Sequence, residues 1–301
     1  MSANACLLCL EDEAGIAGRA ATAAGLPLQV VERHRFPDGE LRLRLPPALP
    51  PHVVLWRTLD HPNEKLVELL LIARSARAAG ASWLGLVAPY LAYMRQDIAF
   101  QPGEVVSQRV VGGFLAELFD AVLTVDPHLH RVATLLEAVP LRDPALAVVL
   151  SGAPLLAALI AQHHTAPLLL GPDEESLQWV ASAAQARGWD HAVCVKQRHG
   201  DRHVEIALPD VPVAGRAVVL LDDVASSGQT LVAATRLLLA AGATSVDVAV
   251  THALFAGDAI ERVRSSGARH VWSSDCIAHA SNAVSIVPAV AAVLRGWAAR
   301  D

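Results

Sequence analysis

Short apolar runs alternate with longer segments of helical periodicity along nearly the whole chain of 301 residues. A run of a few consecutive apolar residues fits a strand buried on both faces, and the longer segments fit amphipathic helices. The alternation therefore predicts an α/β fold in which mainly parallel sheets are flanked by helices. The predicted strands are 53–56, 84–87, 121–125, 147–150, 168–170, 192–195, 217–221 and 246–250, and the predicted helices are 63–79, 105–119, 176–187, 228–241, 258–265 and 282–297.

The length of the chain is comfortable for two domains. The proline-flanked stretch 140–144 interrupts the alternation between two sets of strands. We therefore predict an N-terminal domain over residues 1–143, a C-terminal domain over 144–283 and a final helix within 284–301. Two other segments, 36–51 and 198–212, leave the alternation and carry charge together with proline or glycine. Long irregular segments of this kind are often functional.

The composition argues against several classes of protein. Hydrophobic residues make up 53% of the chain, which is too many for a disordered protein, and the formal net charge is −6. Without a basic surplus to neutralise phosphates, we expect no nucleic-acid partner. Residues 144–172 contain no Asp, Glu, Lys or Arg, but polar and proline-containing stretches break them. Because a spanning helix needs roughly 20 continuous apolar residues, we expect no membrane segment.

The four cysteines favour a reducing, cytoplasmic setting. Cys6 and Cys9 form a C-x-x-C inside an apolar run that is typical of a strand. Residues three apart on a strand point to opposite faces, which argues against a metal or redox pair. Cys194 and Cys276 stand alone. The first residues carry no basic region, so we expect no secretory signal.

Polar residues follow three of the predicted strands. Asp126-Pro127-His128 comes after 121–125, Gly171-Pro172-Asp173 after 168–170, and Asp222-Asp223 after 217–221. Ligands of open α/β sheets bind at the carboxyl ends of the strands, so the three clusters predict a crevice there. A single acid in such a place is more often a helix N-cap.

The stretch 218–231 is the most specific one in the chain. It reads as a buried strand, two carboxylates, a small hydroxyl-rich turn and the start of a helix. Backbone N–H groups of the turn and the positive end of the helix favour a bound phosphate. The two carboxylates suit the hydroxyl groups of a sugar. The stretch is not a Walker A loop, because no Gly-Lys-Ser/Thr follows.

This stretch resembles the phosphoribosyl pyrophosphate loop of type I phosphoribosyltransferases and of ribose-phosphate pyrophosphokinases, and by itself it does not separate these two groups. Six further segments resemble those of the pyrophosphokinases and occur in the family's order. They are Phe36-Pro37-Asp38-Gly39-Glu40, the segment 89–97 with Arg95-Gln96-Asp97, Asp126-Pro127-His128, Gly171-Pro172-Asp173, Lys196-Gln197-Arg198 and Thr251-His252-Ala253-Leu254-Phe255.

The resemblance implies two type I phosphoribosyltransferase-like domains, the first on the ATP side and the second binding ribose 5-phosphate, with the final helix packing on the first. It implies transfer of a diphosphoryl group from ATP to ribose 5-phosphate in the cytoplasm. It also implies a homo-oligomer, either a dimer or a dimer-based hexamer, in which a neighbouring subunit supplies Phe36 to Glu40 to the ATP site. The implied ATP-binding residues are Phe36, Asp38, Gly39, Glu40, Arg95, Gln96 and Asp97. Those implied for ribose 5-phosphate are Asp222, Asp223, Ser226, Ser227, Gly228, Gln229 and Thr230.

The resemblance further implies that Lys196 and Arg198 are catalytic cations on a flexible loop, and that His128 and Asp173 hold Mg²⁺. Magnesium prefers oxygen ligands, so the chemistry favours Asp173 over His128. Each motif also has an ordinary alternative. Residues 36–40 by themselves read as a turn, and residues 196–199 as a solvated run of charge.

The sequence departs from the family pattern at several positions. Gln229 replaces a glycine, which questions how tight the turn is, and Glu174 and Glu175 follow Asp173 where the family usually has glycine. Ile98 stands where many members have a basic residue. Two alternatives remain open at this point: a phosphoribosyltransferase that consumes the same product, and a non-catalytic, synthetase-like regulatory subunit.

Overall fold

The computed structural model describes residues 4–129, 131–185, 187–199 and 203–300. The chain forms two compact units, Met1–Leu150 with Val287–Asp301, and Ser151–Ile286. These junctions lie a few residues after the divisions that we predict from the sequence. Within the described residues, no helix is both long and apolar enough to cross a membrane.

The described part of the first unit builds a seven-stranded sheet in the order β3-β2-β1-β4-β5-β6-β7. All neighbouring strands are parallel except β2 and β3, which form an antiparallel hairpin. The strands are β1 (Ala5–Leu10), β2 (Leu28–Arg35), β3 (Leu41–Arg44), β4 (His52–Trp56), β5 (Trp83–Val87), β6 (Ala121–Val125) and β7 (Ala147–Leu150). The helices are α1 (Ala14–Ala24), α2 (Pro62–Ala78), α3 (Ser107–Leu118) and α4 (Leu135–Ala138).

The described part of the second unit builds a six-stranded parallel sheet in the order β15-β14-β13-β12-β8-β9, and β10 and β11 form a separate antiparallel hairpin. The strands are β8 (Leu168–Gly171), β9 (His191–Val193), β10 (Val195–His199), β11 (His203–Ala207), β12 (Ala217–Ala225), β13 (Ser245–Ala253), β14 (Ala268–Ser274) and β15 (Asn282–Val284). The helices are α5 (Ala153–His163), α6 (Leu177–Gln185), α7 (Gln229–Ala240) and α8 (Ala259–Ser265).

Alternate side chains of the second sheet enter two different cores. Leu168 and its partner in the ladder, Val218, lie in one core together with helices α7 and α8. The next pair, Leu169 and Val219, lies in the other core with α5 and α6. A strand buried on both faces must be apolar at every position, which is why these strands read as continuous hydrophobic runs. The prediction of parallel sheets covered on both faces is confirmed.

The last helix, α9 (Val287–Ala298), belongs to the first unit and packs on α1. Arg295 donates to the carbonyl oxygen of Ala23 at 2.8 Å, and the ring of Trp297 lies 5.5 Å from that of Trp83. The helix begins later than the predicted 282–297. Asn282 instead opens β15, because its side-chain amide donates to the carbonyl oxygens of Ser274 and Ile277 and to the hydroxyl of Ser273.

Three further predictions about elements need correction. The predicted strand 192–195 is divided between β9 and β10, and the predicted strand 217–221 continues to Ala225 because β13 pairs with it as far as Ala253. The segments 36–51 and 198–212, which leave the α/β alternation, take part in the two antiparallel hairpins. Hairpin strands follow a different hydrophobic pattern from buried parallel strands, since one face can meet solvent.

All four cysteines are buried free thiols. Burial raises the pKa of Cys6 to about 12 and that of Cys9 to about 11. Burial, together with the nearby Asp173 carboxylate, raises the pKa of Cys194 to about 11. A thiol with a raised pKa is a poor nucleophile at neutral pH, so these cysteines act as small core residues.

A buried network of charges joins four elements of the first unit. Arg57, which follows β4, contacts Asp12 at 2.8 Å, Glu13 at 2.9 Å and Glu68 at 2.6 Å. Arg33 of β2 contacts the other oxygen of Glu68 at 2.5 Å. The side chain of Glu68 on α2 is fully buried. One buried carboxylate therefore ties β2 and the end of β4 to the same helix.

Removal of the Glu68 charge tests how much the network stabilises the first unit. We expect Glu68→Gln to lower the free energy of unfolding by about 1.5–3 kcal/mol, the contribution of a hydrogen bond to a charged group, since Arg57 keeps Asp12 and Glu13 but loses the buried carboxylate that it shares with Arg33. Urea unfolding at neutral pH measures the loss. Glu117→Gln on α3, at an exposed position, is the matched control and should change stability little. A loss below about 1 kcal/mol for Glu68→Gln would contradict a structural role for the network.

Candidate functional site

Paired carboxylates lie at the carboxyl end of β12, the central strand of the second unit. Asp222 pairs in register with Val250, and the ladder continues beyond it to Ala225 opposite Ala253. The acids are therefore held inside the strand, whereas the sequence predicts them in the loop just after it. Asp223 is 2% exposed, and Asp222 is half-buried. The sheet therefore fixes the backbone of both residues.

Asp173 lies at the end of the neighbouring strand β8 and caps the short 3-10 helix Glu174–Ser176. Its carboxylate accepts from the N–H of Glu175 at 3.1 Å, and the hydroxyl of Ser176 donates to its carbonyl oxygen at 2.5 Å. A side chain at Gly171 would place its Cβ only 1.9 Å from the Ser176 hydroxyl oxygen. The glycine before Asp173 thus allows this turn to fold back on the strand.

The pKa of Asp222 is raised well above its usual range. Burial is the largest cause, and the neighbouring carboxylates of Asp223 and Asp173 add electrostatic repulsion. Asp173 belongs to one sequence motif and Asp222 and Asp223 to another, and the structure brings them close enough for the charges of Asp173 and Asp223 to act on Asp222. Such a group favours ligands that bring positive charge or hydrogen-bond donors, since either lowers the cost of the ionised form.

The small-residue turn after β12 leads directly into α7. Gly228 adopts the left-handed conformation, with φ 70° and ψ 0°, and is the N-cap of the helix. Ser227 accepts from the N–H of Gln229 at 3.5 Å. Gln229 is the exposed first residue of α7, and Gly228 is the residue of the turn that adopts the left-handed conformation. The turn therefore forms with Gln229 in place of the family's glycine.

The residues 36–40 form the tip of the β2–β3 hairpin in the first unit. Phe36 donates its N–H to the carbonyl oxygen of Glu40 at 2.8 Å, Gly39 has φ 94°, and the N–H of Glu40 donates to the Asp38 carboxylate at 3.1 Å. All five residues are exposed, and the Phe36 ring lies 4.8 Å from that of His34. The segment is both the turn that its sequence suggests and an accessible aromatic and acidic surface.

Arg95, Gln96 and Asp97 lie in an irregular segment of the first unit with different surroundings. Arg95 is exposed, and the carbonyl oxygen of Gln96 accepts from the N–H of Gln108. Asp97 is buried, and Arg131 donates to both of its carboxylate oxygens, at 2.6 and 3.1 Å. Burial would raise the pKa of Asp97, but the hydrogen bonds from Arg131 outweigh it and lower the pKa.

The remaining predicted residues differ in how far the structure describes them. His128 is half-buried in the first unit, two residues after Asp126, which has a φ of 35°. Lys196 and Arg198 lie in β10, opposite Ile206 and Val204 of β11. The side chains of both cations are outside the described part of the chain. The second unit thus brings together Asp173, the Asp222–Asp223 pair and the turn 226–230, and the predicted ATP-side residues belong to the first unit.

Sequence reasoning missed the residues that hold these segments. Gln108 donates its side-chain amide to the carbonyl oxygen of Met94 at 3.1 Å, and Arg131 binds Asp97. Ser176 supports the turn at Asp173. None of these three residues belongs to a recognisable sequence motif. Each binds a backbone or carboxylate group, and only the fold brings the residue and that group together.

One class of proteins binds phosphorylated sugars or nucleotides at the carboxyl edge of a parallel sheet. The fold and the site place this chain in that class, because two adjacent acids at the end of a strand are followed by a turn suited to phosphate. Residues 5–118 match the family model for the N-terminal domain of ribose phosphate pyrophosphokinase, and residues 150–286 match that for the phosphoribosyl transferase domain. The chain belongs to the ribose-phosphate pyrophosphokinase family.

Relatives from archaea and a solved bacterial structure agree with this placement. A ribose-phosphate pyrophosphokinase of Methanopyrus kandleri is 35% identical over 88% of this chain and 89% of its own length. One from Halobacterium salinarum is 34% identical over 93% of this chain and 96% of its own. The fold resembles that of phosphoribosylpyrophosphate synthetase from Mycobacterium smegmatis, with a TM-score of 0.83 and 22% identity over 97% of this chain and 98% of that one.

The raised pKa of Asp222 predicts a pH-dependent gain of stability when its charge is removed. The pKa of Asp222 is higher in the folded protein than its ordinary value of 3.8. The carboxyl therefore contributes stability at acid pH, and this contribution is lost as the pH rises from 3.8 through the pKa of the folded state. We therefore expect ligand-free Asp222→Asn to melt at a higher temperature than the wild type at pH 8, with the difference vanishing near pH 3.

Melting curves in the presence of a chelator measure this difference. Asp210→Asn, at an exposed position of the same unit, is the matched control and should not change the melting temperature at either pH. An Asp222→Asn variant that is no more stable than the wild type at pH 8 would contradict the electrostatic coupling.

Proposed function

We propose that the protein transfers the diphosphoryl group of ATP to the C1 hydroxyl of ribose 5-phosphate and releases phosphoribosyl pyrophosphate and AMP. The C1 oxygen attacks the β-phosphorus of ATP, the bond from that phosphorus to the α,β-bridging oxygen breaks, and the hydroxyl proton is lost to solvent. The observation that carries the proposal is the coupling of Asp173, Asp222 and Asp223 beside the turn that begins α7. Family membership supports the same reaction.

The second unit has the chemistry to hold a sugar phosphate. Asp222 and Asp223 can accept hydrogen bonds from ribose hydroxyl groups, which replace water around carboxylates that are costly to bury. The hydroxyl groups of Ser226, Ser227 and Thr230 and the first N–H groups of α7 suit the 5-phosphate. The first N–H groups of a helix have no partner within it, and the helix dipole favours an anion at this end.

The donor groups also fit Mg²⁺. The described residues contain no cluster of three or more His, Cys, Asp or Glu arranged for a metal. Magnesium usually takes one or two carboxylates, several waters and the phosphate oxygens of its substrate, so such a cluster is not required. We assign Asp173 and His128 as its protein contacts, of which Asp173 offers the oxygen ligand that Mg²⁺ prefers. When bound, the ion would neutralise charge on the triphosphate and on the departing AMP.

The first unit supplies groups suited to ATP. The exposed ring of Phe36 can stack on adenine, and Asp38 and Glu40 can accept from its amino group. Arg95 can bind phosphate oxygens through its planar guanidinium group. Gln96 adds an amide, and Gly39 lets the hairpin turn. Because Arg131 engages both oxygens of Asp97, we assign Asp97 to positioning this segment and not to direct contact with the nucleotide.

Lys196 and Arg198 are proposed as the groups that stabilise the transition state. Charge spreads over the transferred phosphoryl oxygens during the reaction, and two cations near them lower the barrier without any covalent intermediate. The β10–β11 hairpin that carries both residues would also exclude water, whose attack on ATP would compete with transfer. The four free thiols are consistent with action in the reducing environment of the cytoplasm.

Steady-state kinetics with separated substrates test the proposal. We expect one AMP to form for each phosphoribosyl pyrophosphate, and a phosphoribosyltransferase or a non-catalytic subunit would form neither from these substrates. Asp222→Ala should raise the KM for ribose 5-phosphate at least about tenfold, since a desolvated acceptor for a sugar hydroxyl is lost. Lys196→Ala should lower kcat about 100-fold or more. Asp210→Ala should resemble the wild type, and an unchanged KM in Asp222→Ala would refute its role.

We also propose that the protein is a homo-oligomer, a dimer or a dimer-based hexamer, whose ATP site takes the 36–40 turn from a neighbouring copy. A groove of about 410 Å³ between this turn and α2 is lined by Gly39, Glu40, Leu41, Glu64, Val67 and Leu71. Val67 and Leu71 are 48% and 40% exposed on that helix. Neighbouring apolar side chains left in water on one helix suit burial by a second copy.

Light scattering coupled to gel filtration measures the oligomeric state. We expect a species of at least two chains, and we expect Leu71→Glu to shift it to smaller species because a charge would be buried in the contact. Leu237→Glu, a similarly exposed position on α7, is the control and should leave the assembly intact. A wild-type monomer at micromolar concentration would contradict the shared site.

A further inference from the structure

The phosphate-type turn after β12 is held from one side by residues that lie outside its motif. The N–H of Phe255 donates to the carbonyl oxygen of Ala225 at 2.8 Å, and that of Ala256 donates to the carbonyl oxygen of Ser226 at 3.0 Å. The guanidinium group of Arg262 donates to the carbonyl oxygen of Ser227 at 3.0 Å. Three consecutive carbonyl groups of the turn are therefore bound by the segment that connects β13 to α8 and by α8 itself.

The orientation of these carbonyl groups determines where the N–H groups of the turn point. No cis peptide bond occurs among the described residues. In a trans peptide the N–H points opposite to the C=O of the same unit. Since the carbonyls of residues 225, 226 and 227 point toward this segment, the N–H groups of Ser226, Ser227 and Gly228 point away from it. Three successive N–H groups on the side away from this segment are the kind of donors from which an anion-binding nest is built.

The backbone of the holding segment is itself unusual. Phe255 has φ 33°, in the left-handed region that a bulky side chain rarely adopts. The residue is only 5% exposed and belongs to the core that contains α7 and α8, which offsets the strain. In this conformation Phe255 and Ala256 donate their N–H groups to two successive carbonyl oxygens of the turn.

Arg262 has a partner on each side of its guanidinium group. Its Nε lies 3.4 Å from the carboxylate of Asp258, one helical turn earlier, while its Nη2 donates to Ser227. Gly228 lies close to the same helix, since a Cβ at that position would be 3.2 Å from Val263 and 3.4 Å from the carbonyl oxygen of Ala259. Helix α8 therefore limits the position of the turn as well as its orientation.

We propose that residues 255–262 form a clamp that orients the N–H groups of Ser226, Ser227 and Gly228 toward the phosphate of the sugar phosphate, and that Arg262 is its positioning residue. The inference rests on the proposed function, because it concerns how that site holds ribose 5-phosphate. Arg262 acts through the backbone of Ser227 and does not itself contact the substrate. Its loss should weaken phosphate binding without altering the groups that carry out transfer.

The test compares Arg262→Met with Arg264→Met, which removes the same charge two residues further along α8 from another exposed position. We expect Arg262→Met to raise the KM for ribose 5-phosphate, and its Kd in calorimetry, about five- to tenfold, the effect of losing a partly exposed hydrogen bond from a charged group. The KM for ATP, and kcat at saturating ribose 5-phosphate, should stay within about twofold. Arg262→Lys should recover most of the loss, since an ammonium group can also donate to Ser227, and Arg264→Met should match the wild type.

Two results would overturn the clamp: a KM for ribose 5-phosphate within about twofold of the wild type in Arg262→Met, or an equal rise in the KM for ATP, which would indicate a general structural defect. If Arg262→Met does not fold, Arg262→Gln, whose shorter side chain cannot span the same distance, is held to the same criteria. Binding separates this inference from the proposed function. A wild-type protein that binds no ribose 5-phosphate refutes both, whereas equal binding by the wild type and Arg262→Met refutes the clamp alone.

Discussion

Burial of Asp222, together with repulsion from Asp223 and Asp173, sets the electrostatics at the carboxyl end of the second sheet. The backbone of Asp222 and Asp223 is held by a paired strand, Asp173 is fixed by its own capping hydrogen bond, and the charges of Asp223 and Asp173 both act on Asp222. The sheet therefore maintains an arrangement that the side chains alone would avoid, as expected where a site is preorganised for a ligand. A sugar with hydroxyl donors, together with a magnesium ion, would relieve this repulsion. Under the proposed function, the ligand-free protein carries the electrostatic cost of this arrangement, and substrate binding would recover it.

The first unit uses charge in the opposite way. Arg57 and Arg33 meet the buried carboxylate of Glu68, and Arg35 binds Glu64, so β2 is tied to α2 by successive contacts on the approach to the hairpin tip. Ion pairs at the base of the hairpin thus hold the position of a surface that is itself open to solvent. Placement of an exposed turn on a base held by ion pairs is a general solution for binding loops.

The sequence predicts the parallel sheets well because strands buried on both faces leave continuous apolar runs, as at 121–125, where predicted and observed bounds coincide. The bounds of 147–150 also coincide, although this edge strand is only partly buried. The sequence does not predict the bounds of strands where pairing with a distant strand overrides the local hydrophobic pattern. The extension of β12 through Asp222 depends on β13, and Asn282 joins a strand through hydrogen bonds that no periodicity reveals. For the candidate site, strand-end acids and the turn were predictable, since their residue types are demanded by chemistry. Gln108, Arg131 and Arg262 were not, because each acts on a group far away along the chain.

The two ends of the described chain belong to one unit, and the other unit is inserted between them. Helix α9 supplies the partner of α1 and places Trp297 beside Trp83. During synthesis, a nascent chain that has emerged only as far as Ile286 therefore has a complete second unit and an unfinished first one, with the surface of α1 still uncovered. The domain that is translated first is the last to close, and its exposed helix must remain soluble until α9 has emerged from the ribosome.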